Sequence, residues 1–110
     1  MGIKVFARDP IREWNDHVLL VNAAKRYTKT FDSTLAVSGD NVEINGVSLR
    51  YFMDEERGRK ALRIAKGAAH QDTNVSVRAK GGWRVDEGLL YAALVKHVTT
   101  RVQGTASSLS

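Results

Sequence analysis

The amino-acid sequence predicts an α+β open-faced sandwich: an antiparallel sheet of about four strands with three helices on one face, in the order β-α-β-β-α-β-α. Three observations predict it. Apolar residues recur at spacings of three and four over Arg12 to Tyr27 and again after Asp86. Between these stretches, Phe31 to Phe52 has strand character broken by Ser38-Gly39-Asp40-Asn41 and Asn45-Gly46. Finally, 110 residues and 43% hydrophobic content suit one core, with roughly 65% of the unfolded surface buried.

Each element follows in order. Ile3 to Ala7 alternates and reads as a short first strand, closed by Arg8-Asp9-Pro10. The first helix carries Trp14, Val18, Val21 and Leu20, Ala24, Tyr27 on its stripes, with Asn15 or Asp16 as cap and Lys25-Arg26 at the end that favours cations. A meander of up to three strands is expected at about 33–38, 41–45 and 47–52; the sequence leaves open which turn joins the two main ones. Met53 to Ala69 reads as the second helix. Asp54, Glu55 and Glu56 fill its first turn, Leu62, Ala65 and Ala69 line its buried stripe, and Gly58 costs it about 1 kcal/mol. Thr73 to Lys80 reads as one strand, followed by Gly81-Gly82 as a hairpin turn or as the loop into a last helix. That helix starts at Asp86-Glu87 and runs to about Val102. Residues 1–102 thus form a single domain, and 103–110 form a polar tail.

The order and local stretches resemble the histidine-containing phosphocarrier family, HPr. Leu19 to Tyr27 is similar to that family's first helix, Val42-Glu43-Ile44-Asn45-Gly46 to its strand and turn, Ile64 to Ala68 to the end of its second helix, and Asn74 to Gly81 to the following strand. The family's signature, Gly-[Leu/Ile]-His-Ala-Arg-Pro-Ala, would fall on Pro10-Ile11-Arg12-Glu13-Trp14-Asn15-Asp16, where only Ile11 matches. Arg12 or Glu13 falls at the phosphorylated position in place of histidine; a glutamate there repels a phosphoryl group, and an arginine binds phosphate without carrying it. The regulatory serine is replaced by Met53-Asp54-Glu55-Glu56. The resemblance therefore implies the fold without the phosphocarrier chemistry, and His17 is the remaining candidate carrier.

Composition excludes several classes. The chain has no cysteine, and its three histidines are scattered, so no thiolate or structural zinc site is expected. No nucleophile elbow, phosphate loop or zinc-protease motif occurs, and the expectation is a non-enzymatic protein without cofactors. No apolar run approaches 18 residues and no signal pattern opens the chain, so the expectation is a soluble cytoplasmic or virion-associated protein without a membrane partner.

The charge is the informative feature. The net +5 conceals a local surplus of seven between Arg57 and Arg84, where eight cations face one anion, Asp72. As a helix, this stretch would place Arg59, Arg63, Lys66 and His70 on one stripe. The leading expectation is a protein-binding module, regulator or component of a larger assembly such as a phage particle. It docks through its helical face with Arg12, Trp14, His17, Arg59, Arg63 and Lys66. The alternative is a nucleic-acid-binding accessory protein using Arg59, Lys60, Arg63, Lys66, Arg78, Lys80, Trp83 and Arg84.

Overall fold

The computed structural model describes residues 10–99. They form an α+β fold: a long helix, a five-stranded antiparallel meander, a separate two-stranded hairpin and a C-terminal helix. The expected first strand at Ile3–Ala7 and the tail at 103–110 lie outside the described residues.

Helix α1 (Pro10–Phe31) begins at proline, whose missing N–H costs nothing in a first turn. Leu20, Ala23, Ala24 and Tyr27 form its buried stripe. The helix extends four residues past its expected end because Tyr27 and Phe31, one turn apart, stack with ring centroids 4.6 Å apart. Asp32 then turns left-handed at φ 48°, and Ser33 N donates to Thr28 O at 3.0 Å, closing the C-terminus. Asp16, read from the sequence as a cap, instead sits within the helix and is only 7% exposed.

Strands β1 (Leu35–Ser38), β2 (Asn41–Ile44) and β3 (Val47–Asp54) match the expected meander. Ile44 pairs with Val47 across Asn45 and Gly46, both at positive φ (50° and 81°), the geometry of a two-residue hairpin turn. Asn45 also ties this turn to the end of α1. Its main-chain N–H donates to Thr34 O, and its Oδ1 accepts from Thr34 N.

The second expected helix does not exist. Met53–Ala69 instead contains the end of β3, a turn, β4 (Arg59–Lys66), another turn and the first residue of β5 (Ala69–Asn74). The expectation of three helices and about four strands is thereby corrected to two helical segments and seven strands among the described residues. The physical reason lies in Gly58 and Gly67, at φ 63° and 60°. They bound β4 on either side in conformations that continue no helix. Between them, Leu62 and Ile64 are buried and Arg63 exposed, a period of two that apolar residues at 61, 62, 64 and 65 disguise. Ile64–Ala68, which resembles the end of a second helix, is the end of β4 and its turn. Asp54, Glu55 and Glu56 accordingly line a hairpin loop rather than a helical first turn.

The single strand expected over Thr73–Lys80 is split at Val75. Asn74 bends the chain, since its Oδ1 accepts from Ser76 N (3.1 Å) and its Nδ2 donates to Ser76 O (2.9 Å). Strands β6 (Ser76–Ala79) and β7 (Gly82–Val85) then pair as an independent hairpin. Lys80 and Gly81 make its turn, which settles the hairpin alternative left open by Gly81-Gly82. Asp86 caps α2 (Glu87–Ala93), its Oδ2 accepting from Leu89 N at 3.0 Å. The helix continues as a π-helical turn over Leu94–Val98.

Both helices cover one face of the meander. Val42, Ile44, Val47, Leu49, Leu62 and Ile64 point into that layer and are fully buried against Leu20, Ala23, Ala24, Leu90, Leu94 and Val98. The opposite face carries Glu43, Ser48, Arg50, Phe52, Asp54, Arg59, Arg63 and Asp72, and among the described residues no helix covers it.

One ion pair fastens the layers together. Lys60 Nζ lies 2.6 Å from Asp16 Oδ2, with side chains 23% and 10% exposed. Tyr51 Oη donates to Asp16 O at 2.6 Å, and Ser76 Oγ donates to Lys60 O at 2.9 Å. Asp16→Ala should destabilise the protein by roughly 1–3 kcal/mol, because it leaves Lys60 desolvated without its partner. Asp16→Leu combined with Lys60→Met should recover much of that loss. Urea denaturation of the single and double variants measures both; a purely additive cycle would show that the pair does not act as a unit.

Candidate nucleic-acid interface on the open sheet face

Alternation along β3 and β4 determines which cations share a surface. Arg50 and Arg63 are directly paired across the two strands, as are Phe52 with Ala61 and Asp54 with Arg59. All stand on the uncovered face. The Arg63 guanidinium lies 4.9 Å from the Phe52 ring centroid and forms a two-pronged bond to Asp72 (Nε–Oδ1 2.8 Å, Nη2–Oδ2 2.9 Å). Arg59 reaches the second hairpin, where its guanidinium lies 5.2 Å from the Trp83 ring centroid. Arg78, paired with Trp83 across the hairpin, contributes a second guanidinium at 5.2 Å. The hairpin itself is held to α1 by a bond from Arg12 Nη2 to Trp83 O.

The result is a band of alternating aromatic rings and guanidinium groups, running from Arg50 and Phe52 through Arg63 and Arg59 to Trp83 and Arg78. Its carboxylates are used internally. Asp72 holds Arg63, while Asp54 lies 3.7 Å from Arg59 Nε and 3.4 Å from Arg57 Nη1. The Arg59 Nε is buried and lacks a hydrogen-bond acceptor among the described residues. Arg50, Lys80 and Arg84 make no ion pair among the described residues, and all three are exposed.

The residues expected to dock a protein through the helical face are not brought together. Arg12, Trp14 and His17 lie along the first turns of α1, with Trp14 64% exposed and its ring 5.9 Å from that of His17. Arg59 and Arg63 project from the far side of the sheet. Lys66 differs from them in parity and stands at the opposite end of β4, so the helical stripe 59-63-66-70 is dispersed. Of the residues expected to bind nucleic acid, Arg59 and Arg78 meet at Trp83 and Arg63 stands with Arg59 on the open face; Lys80 lies in the turn of the same hairpin, and Arg84 is on the hairpin face opposite Trp83. Lys60 turns inward to Asp16 and leaves the set, as does Lys66. Arg50 and Phe52 are not among the residues the sequence singles out, because a helical Met53–Ala69 puts Arg63 on a helix rather than opposite Arg50. Read as strands, the alternation Ser48-Arg50-Phe52 carries that signal.

Two cavities flank Lys60. One, about 450 Å³, is lined by Glu13, His17, Asp40, Tyr51, Met53 and Lys60 among others; the second, about 400 Å³, reaches Arg12, Ser76 and Trp83. Burial, and then the negative charge of Asp16, push the Tyr51 phenol far above its ordinary range, so it remains a neutral donor. Among the described residues, no group of three His, Cys, Asp or Glu is placed to hold a metal ion, and no helix is long and apolar enough to cross a membrane. Comparison with protein-family models, curated proteins and solved structures finds no match to this chain.

The hydrogen bonds from Arg63 hold the Asp72 carboxyl below its usual value of 3.8, aided by the charges of Arg63 and His70 and opposed by partial burial. The pair's contribution is therefore present above the unfolded-state value and is lost as pH falls through the lower folded-state value. Side-chain carboxyl NMR should report this depressed midpoint, and Arg63→Ala should return it toward 3.8. An unchanged midpoint in that variant would mean that Arg63 is not the cause.

Proposed function

We propose that this protein is a non-enzymatic module that binds single-stranded nucleic acid on the open face of its sheet. The observation that carries this reading is the Arg59–Trp83–Arg78 stack, continued on the same face by Arg63 over Phe52 and by unpaired Arg50. Guanidinium planes and aromatic rings stack on unpaired bases, while exposed arginines meet the phosphates. A broad strand surface presents both along one line, whereas a duplex groove calls for a projecting helix or ribbon. Arg50 and Arg78 serve as phosphate contacts, and Phe52 and Trp83 as stacking platforms. The carboxylates of Asp54 and Asp72 hold two of the guanidinium groups in register and so limit affinity.

A mixed-sequence single-stranded oligonucleotide should bind with an affinity that falls steeply as salt rises. Replacing Arg50 and Arg78 together with alanine should flatten the log–log salt slope by about 1.4, near 0.7 for each lost phosphate contact. Fluorescence anisotropy across a salt series measures the slope. Absence of binding at low salt would remove the proposal, and an unchanged slope would move the contact to another face.

A second reading rests on Trp14, 64% exposed beside Ile11 at 73%. Such an aromatic on the first turns of α1, flanked by Arg12 and His17, suits an anchor for a protein partner, the docking mode that an HPr-like module would use. On this reading, a partner captured from the native host is lost in Trp14→Ala while oligonucleotide affinity is unaffected. Retention of the partner by Trp14→Ala would exclude α1 as the docking edge.

A further inference from the structure

Two arginines stand directly opposite one another on the open face, and their surroundings differ. Arg50 of β3 and Arg63 of β4 are cross-strand partners, about 5 Å apart at Cα. Arg50 is exposed and makes no ion pair among the described residues. The charge of Arg63 is met by Asp72 of β5, to which Nε and Nη2 donate at 2.8 and 2.9 Å. The same guanidinium lies over the Phe52 ring, 4.9 Å from its centroid. Its neighbours on this face of β4 are Ala61 and Ala65, too short to cover it. The Arg63 side chain is accordingly still 46% exposed, although one edge is bonded and one side faces a ring. Strand β4 is paired along both edges, so the backbone that carries this group is fixed.

A guanidinium in this state is a poor phosphate contact. Counterion release requires uncompensated positive charge, and the Asp72 carboxylate both cancels that charge and repels an approaching phosphate. What remains is a flat, weakly hydrated surface, the property of arginine that lysine lacks. Planar cations of this kind carry unpaired bases in single-strand recognition.

We infer that Arg63 is a base-stacking platform, with Phe52 beneath it and Asp72 as the residue that holds its plane, and that the phosphate of the same nucleotide lies on Arg50. This rests on the nucleic-acid reading above and gives its ligand one specific contact. The base and the phosphate of a single nucleotide are divided between two facing arginines, one neutralised and one not. Every base has a flat face, so the contact is tolerant of sequence.

Fluorescence anisotropy with a mixed-sequence single-stranded oligonucleotide, and with a fully abasic strand of equal length, tests the division. Arg63→Lys keeps the charge and removes the plane. It should weaken oligonucleotide binding about tenfold, leave the log–log salt slope unchanged and have no effect on the abasic strand. Arg50→Ala should instead flatten the slope by about 0.7 with both probes, and Asp72→Asn, by uncovering the Arg63 charge, should steepen it by about 0.7. In the unmodified protein, the Arg63 Nε–H resonance should move upfield under the ring current of a stacked base when the oligonucleotide is added, but not with the abasic strand. Binding by Arg63→Lys equal to that of the unmodified protein would overturn the inference. So would a loss shared by the abasic strand, or a flatter slope in Arg63→Lys. A bound oligonucleotide that leaves the Arg63 resonance in place would do so without any substitution, whether or not the variants fold. Absence of binding by the unmodified protein at low salt is a different result, which removes the nucleic-acid reading and this contact with it.

Discussion

The contact between Lys60 and Asp16 is the point on which the layers of this protein converge. Asp16 belongs to α1, Lys60 to β4, Tyr51 to β3 and Ser76 to the second hairpin, and all four meet through three hydrogen bonds of 2.6–2.9 Å. A carboxylate that is 7% exposed is costly to bury alone. The cost is offset only while the β3–β4 hairpin lies against the helix with Lys60 facing inward. Because strand residues alternate, turning Lys60 toward α1 also turns Arg59 and Arg63 to the opposite face. A slip of one residue would bury both arginines and expose Leu62 and Ile64.

The same parity separates two kinds of surface. On the helix side, charge is spent on architecture, and Lys60 lies 5.1 Å from the Tyr51 ring. On the open side, guanidinium groups are spread over Phe52 and Trp83 with carboxylates behind them. Each such cation–ring contact is worth about 0.5–1 kcal/mol at an exposed site, too little to account for folding. On the binding reading proposed above, their value lies in preorganisation, because side chains that are already ordered lose less freedom when a ligand arrives. The HPr-like resemblance led instead toward the helices as the docking layer. The absence of a helix at Met53–Ala69 removes half of that layer and leaves the sheet's far face without a helix among the described residues.

The segment Met53–Ala69 shows why pattern reading failed where it did. Arg, Lys, Ala and Leu are strong helix formers, and apolar residues at 61, 62, 64, 65, 68 and 69 satisfy a period near 3.6 as well as a partial period of two. Propensity is a weak preference, worth tenths of a kcal/mol per residue, whereas pairing on both edges supplies a full ladder. The two glycines at 58 and 67 carry the decisive local signal, with eight residues between them and each at a hairpin turn. The split at Val75 was less accessible, because it depends on Asn74 bonding to Ser76 on both sides.

The sequence by itself determined the helix over α1, the meander from Leu35 to Phe52, the Asp86 cap and the concentration of cations between Arg57 and Arg84. These depend on local periodicity, turn chemistry and counting, which need no knowledge of distant residues. Only the tertiary structure decided which cations are structural and which are presented. Lys60 is held by a residue 44 positions away, Arg63 by one in the neighbouring strand, and Arg59 and Arg78 by a common tryptophan. A charge acquires its role from the dielectric around it and the partner it meets, and both are properties of the packed chain.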